Sequence, residues 1–109
     1  MGEPRTTLSG RPPETPETPG APASIDPATG MYKDYWVLPP EELVKGFIRP
    51  LRLGYQHKVC GSVTTMALKI AETYARDPGY YESTFCAVCR DHYPVGDFVW
   101  DGTDEVLGS

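Results

Sequence analysis

The residues best suited to chemistry in this chain are three cysteines and two histidines, gathered in two short stretches. His57-Lys58-Val59-Cys60-Gly61 sets an imidazole and a thiol two residues apart. Cys86-Ala87-Val88-Cys89 does the same with two thiols, and His92 follows three residues later. A gap of two residues is the spacing of a metal knuckle, a tight turn that aims both ligands at one ion. Such a turn commonly needs a positive φ just after its second ligand, a conformation glycine adopts without strain. Gly61 stands at that place in the first stretch and Arg90 in the second.

A tetrahedral site takes four ligands. Two knuckles closing from opposite sides supply His57, Cys60, Cys86 and Cys89, a Cys3His set with no open coordination position. That is the donor set of a structural zinc ion, whose binding contributes folding free energy directly. The alternative uses His92 in place of His57. It requires the chain to bend back sharply after the second knuckle, and it leaves Cys60 without a paired ligand in its own turn. The spacing favours His57, with His92 as the alternative ligand. A redox role for the C-x-x-C pair is the rival chemistry, but thioredoxin-like sites place that motif at the start of a helix. Here Pro94 and the strand-like DFVW follow.

The elements that must position these ligands are short. TTMALKIAETYARDP predicts a helix over about 64–76, with Met66, Ile70 and Tyr74 at four-residue spacing and Ala67, Leu68 and Ala71 beside them. Ser62 or Thr64 is the expected cap, and Asp77-Pro78-Gly79 the stop. Pro39-Pro40-Glu41-Glu42-Leu43 reads as a second, brief helix start ended by Gly46. FIRPLRLGYQHKV predicts one or two edge strands broken at Pro50, and YYESTF and VGDFVW predict further strands. The expected fold class is α+β: a small zinc-stabilised domain with one main helix and short antiparallel strands.

Composition divides the 109 residues into two parts. Residues 1–30 hold seven of the twelve prolines and almost no large apolar side chains, and predict an extended or disordered N-terminal arm. Residues 31–109 are the expected zinc-binding domain, small enough to need a staple. An odd cysteine count and no apolar leader point to a metal in a reducing compartment rather than to disulfides. The expected location is therefore a reducing, cytoplasmic compartment. No apolar run is long enough to cross a bilayer.

The net charge of −5 opposes a nucleic-acid module, which usually carries a basic stripe. Lys45, Arg49, Arg52, Lys58 and Arg90 are the candidate nucleic-acid contacts if a local basic face exists. Tyr32, Tyr35 and Trp36 are the candidate contacts for a protein partner, since exposed aromatics favour interfaces. Enzyme motifs are missing: there is no H-x-E for a zinc deaminase and no H-E-x-x-H for a zincin. An HNH nuclease would need a catalytic histidine that the ligand set cannot spare. No small-molecule substrate is expected.

TFCAVCRDHYPVGDFVW and HKVCG resemble the knuckles of zinc-ribbon and treble-clef-like proteins over residues 55–101. The departures are His57 for a cysteine, Arg90 for a glycine, and a longer inter-knuckle helix. The resemblance implies the metal ligands and a ribbon-like fold. The compact chain ending in WDGTDEVLGS also resembles small proteins encoded by tailed bacteriophages. Together these imply a non-enzymatic, zinc-stabilised interaction or structural module in the host-cell cytoplasm or incorporated in a virion, with virion subunits or a host protein as partner. The second reading is a nucleic-acid-binding zinc ribbon.

Overall fold

A computed structural model describes residues 5–14 and 21–109. Among them the chain forms, in order, β1 (Thr6–Thr7), β2 (Trp36–Val37), α1 (Pro40–Leu43), β3 (Gly54–His57), β4 (Val63–Thr65), α2 (Leu68–Arg76), β5 (Ser83–Cys86), β6 (Asp91–Pro94) and β7 (Phe98–Trp100). A single 3-10 turn at Val95–Asp97 joins β6 to β7. The strands make an antiparallel sheet of order β4-β3-β7 and two antiparallel pairs, β5-β6 and β1-β2. The fold class is α+β.

Both knuckles are the loops of β-hairpins. Residues 58–62 connect β3 to β4, with Gln56 opposite Val63, and residues 87–90 connect β5 to β6, with Cys86 opposite Asp91. Helix α2 bridges the hairpins and turns Ala71, Thr73, Tyr74 and Ala75 inward. Ala71 and Ala75, four apart, leave room for a close neighbour. The core between helix and sheet is Tyr55, Met66, Ala71, Tyr74, Cys86, Phe98, Trp100 and Leu107.

Three expectations about local structure are corrected. The main helix begins at Leu68, not near Thr64, and Ala67 at its N-cap offers no side-chain cap. Val63, Thr64 and Thr65 are β-branched, and they pair with β3 instead. The stretch Phe47–Leu53 forms no strand. Ile48 and Arg49 both direct their N–H groups to the Ala75 carbonyl at the end of α2, so those donors serve the helix terminus rather than a ladder. Gly46, at φ 101°, turns the chain into this loop.

Contacts span residue 30. β1 pairs with β2, Ile25 bridges to Tyr32, and Ala21, Pro22 and Ala23 are buried. Asp34, itself buried, accepts from the main chain and hydroxyl of Ser9. Small side chains and prolines add little core of their own, yet they can lie flat on a surface that supplies the apolar area. Residues 1–4 and 15–20, also assigned to the arm, lie outside the described residues.

Candidate metal centre

His57 ends β3 and Cys86 ends β5, so the first ligand of each knuckle leaves a strand pointing inward. Both are almost wholly buried, His57 at 1% exposure and Cys86 at 0%. The second ligands, Cys60 and Cys89, sit in the turns, Cys60 exposed and Cys89 partly so. The turns share one hydrogen bond: Gly61 N–H donates to the His57 carbonyl and Arg90 N–H to the Cys86 carbonyl, each at 2.7 Å. Each also has positive φ after its second ligand, 74° at Gly61 and 58° at Arg90. Arg90 is the non-glycine residue with positive φ among the described residues. In the second turn Cys89 N–H points at the Cys86 sulfur.

The four side chains meet. Cys60 Sγ lies 3.4 Å from His57 Nδ1 and 3.5 Å from Cys86 Sγ, and Cys89 Sγ lies 3.7 Å from His57 Nδ1. All four ligand atoms fall within 4.8 Å of one another, close enough to hold a metal ion. His57 presents Nδ1 to the sulfurs. Its ring is stacked at 4.6 Å on Phe98 and lies 4.7 Å from Tyr93, and its other nitrogen is buried without a hydrogen-bond partner. The stacking fixes which nitrogen faces the cluster.

Ser62, just past the first turn, is a contributor that the spacing of cysteines and histidines gives no hint of. Its hydroxyl lies 2.9 Å from Cys60 Sγ and 3.4 Å from Cys86 Sγ. Ser62 lowers the Cys60 thiol to about 6, chiefly through that hydroxyl, with help from its own backbone, from His57 and from Cys86. Desolvation and the neighbouring sulfurs raise Cys89 to about 11. Three sulfurs this close cannot all carry charge without a cation among them, so one thiol ionises readily and another resists.

His92 is elsewhere. Its Nε2 meets the Tyr35 hydroxyl at 2.9 Å, its ring lies 4.3 Å from Tyr32, and Phe85 flanks it at 5.4 Å. β6 carries it away from the ligand cluster, as a strand leaving the knuckle must. Tyr32 and Tyr35, the candidate partner contacts, are half-buried and their rings pack within the chain. Trp36 lies under the Arg5 guanidinium at 4.1 Å, and its carbonyl accepts from the Tyr81 hydroxyl. These aromatics fasten the N-terminal segment to the body of the molecule.

Most of the five basic residues are likewise engaged. Lys45 pairs with Glu42 at 2.8 Å. Arg52 pairs with Glu105 and lies over the Trp100 ring. Arg49 donates to the main-chain oxygens of Ile48 and Ser109, and Arg90 to that of Ala28. Lys58, in the first turn, is exposed. They do not converge on one contact.

No protein-family model matches the chain, and neither a curated protein nor a solved structure is similar to it. Among the described residues no helix is long and apolar enough to cross a membrane.

Proposed function

We propose that this chain is a zinc-pinned binding module that engages a protein partner and carries out no catalysis of its own. Zinc is the ion that suits the donors. Zn–S bonds of about 2.3 Å and Zn–N bonds of about 2.0–2.1 Å in a tetrahedron give S···S edges of about 3.8 Å and S···N edges of about 3.6 Å. The separations of 3.5 Å, 3.4 Å and 3.7 Å lie within a few tenths of an ångström of these. Three thiolates and an imidazole fill every position, so no water or substrate can join the ion. Its contribution is to tie two hairpins together, in the manner of a ribbon or treble clef.

The observation that carries the binding role is the loop after α1. Val44, Phe47, Ile48, Leu51 and Leu53 are all exposed, Val44 at 81% and Ile48 at 57%. Single exposed apolar residues are ordinary, whereas five exposed within ten residues of one loop support a reading as an interaction surface. The backbone of this loop is tied down by Ala75 and by the Arg76 side chain, which donates to Gly46. The chain therefore holds the side chains outward in a fixed frame, which lowers the ordering cost of binding. A virion subunit or a host protein is the partner class, in a compartment reducing enough to keep three thiols available.

The test is affinity capture of the zinc-loaded chain after crosslinking, with Ile48→Glu/Leu51→Glu as comparison. A partner recovered with the wild type and lost with the double variant, at equal zinc content and helicity, supports the reading. Equal recovery with both, or none with either, defeats it. A salt-dependent gel shift with duplex or single-stranded DNA that is lost on Lys58→Glu would transfer the role to nucleic acid.

A further inference from the structure

The three sulfurs of the ligand cluster differ in what can reach them. Cys60 is exposed to solvent, whereas Cys86 is wholly buried and Cys89 only partly open. A reagent arriving from solvent therefore meets Cys60 first. Behind it, Cys86 Sγ lies 3.5 Å away on the other knuckle. The Ser62 hydroxyl touches both sulfurs, at 2.9 Å and 3.4 Å. An accessible thiolate beside a second, shielded one is the arrangement of a peroxide-sensitive pair, in which the first sulfur is oxidised and the second resolves it.

The turn that carries Cys60 has room to move. Lys58 N–H ties its base to the Asp97 carbonyl. Beyond that point packing is sparse: Val59 is 79% exposed, and a side chain added at Gly61 would meet nothing within 4 Å. Closing the two sulfurs from 3.5 Å to a bond of about 2.05 Å asks for a shift of about 1.5 Å. Cys60 and Cys86 belong to different hairpins, so a bond between them joins the same two elements that a shared metal ion would join. A bond from Cys86 to Cys89 would close within one turn and leave the hairpins untied.

We infer that Cys60 is a site of oxidation by hydrogen peroxide, and that it then forms a disulfide with Cys86 which releases the ion and replaces it as the tie between the hairpins. The release rests on the zinc reading above; the pairing rests on the sulfur positions alone. In the zinc-loaded chain both sulfurs are thiolates by coordination. Cys60 Sγ attacks one peroxide oxygen: an S–O bond forms, the O–O bond breaks, and hydroxide leaves. Cys86 Sγ then attacks the Cys60 sulfur: the S–S bond forms, the S–O bond breaks, and a second hydroxide leaves. The two sulfurs have together lost two electrons to the peroxide, and both hydroxides take up solvent protons to become water. His57 and Cys89 remain, two donors where a tetrahedral site needs four.

The test treats the zinc-loaded chain with hydrogen peroxide beside a colorimetric zinc chelator, then maps disulfides by mass spectrometry of a non-reducing digest, with fragment ions that separate Cys86 from Cys89. The expected result is loss of the bound zinc together with two of the three thiols, and a peptide holding Cys60 joined to one holding Cys86. Dithiothreitol with added zinc should restore the starting state. The oxidised, zinc-free chain should keep a cooperative thermal transition that the reduced, zinc-free chain lacks. Zinc retained with all three thiols intact overturns the proposal, as does a bond from either residue to Cys89, or a sulfinic acid at Cys60 with no bond. An oxidised chain that melts like the reduced, zinc-free one overturns the exchange of one tie for the other. Metal content measured before peroxide is added tests the zinc reading separately: a metal-free chain defeats that reading and the release step with it, while the mapped bond still decides the pairing.

Discussion

The two knuckles make the same turn by different means. After Cys60 the positive φ falls on Gly61, and a side chain added there would meet nothing within 4 Å. After Cys89 it falls on Arg90, a residue for which that conformation costs roughly 1–2 kcal/mol. The second turn is held by contacts from outside itself: the Arg90 guanidinium donates to the Ala28 carbonyl, and Gly30 packs against the Arg90 backbone. The first knuckle takes its positive φ at a glycine and is tied outside itself by Lys58 N–H to the Asp97 carbonyl, whereas the second places it on Arg90 and relies on the turn at residues 26–30, closed by Gly30 N–H to the Asp26 carbonyl. A motif that is local in sequence can have its conformation stabilised far away in the chain.

The largest effect should come from the buried residue that opens each knuckle. Cys86→Ser and His57→Ala should each lose the proposed zinc and the cooperative unfolding transition, because a domain of this size has only about 5–15 kcal/mol in total. His92→Ala should keep one zinc per chain. Metal analysis beside thermal denaturation reads both results, and zinc loss in the His92 variant alone would reverse the ligand assignment.

Next in size is the brace of the second knuckle. A Cβ at Gly30 would sit 2.5 Å from the Arg90 carbonyl oxygen, and Gly30 has φ of 85°. Gly30→Ala should cost about 2 kcal/mol in denaturant unfolding, since both the backbone conformation and the contact oppose it. An unchanged midpoint would mean that the second knuckle stands without its brace.

Exchanging the residues after the second ligands tests the contrast itself. Gly61→Ala should cost about 1 kcal/mol from backbone conformation alone. Arg90→Gly should change stability by less than about 1 kcal/mol, because the strain it relieves is offset by the lost contact to Ala28. Equal losses at both positions would erase the distinction.

The smallest effect concerns the histidine outside the cluster. Burial lowers the pKa of His92 below 6.5, partly opposed by Asp91. Tyr35, raised to about 12 mainly by desolvation, remains a donor to its ring. The unfolded chain therefore takes up a proton near pH 6.5 that the folded chain binds only at lower pH. His92 favours folding above that range, and its contribution is lost as pH falls through its folded value. His92→Gln should flatten the difference in stability between pH 7.5 and pH 5.5, measured at saturating zinc. An unaltered slope would place the acid sensitivity in the thiolates.

Much of the site was legible because a knuckle is a local object. The spacing of His57 with Cys60 and of Cys86 with Cys89, and the strand that carries His92 outward, depend on a few adjacent dihedrals. The apolar alternation at 47–53 predicts strand, and no periodicity reveals that Ile48 and Arg49 serve the end of α2. Composition points to a partner surface at the aromatics 32–36 and cannot show that their rings also pack within the chain.

By itself, the amino-acid sequence determined the candidate ligand types, the two tight turns that carry them and the small α+β class, all set by short-range spacing and by the need of so few residues for a staple. The tertiary structure alone decided that Arg90 could take the place of a glycine, that Ser62 and the Phe98 ring would attend the ligands, and that a proline-rich segment would lie over the hairpins. Those outcomes depend on residues tens of positions apart meeting in space. Burial and unsatisfied hydrogen bonds, the quantities that govern them, exist only once the chain has folded.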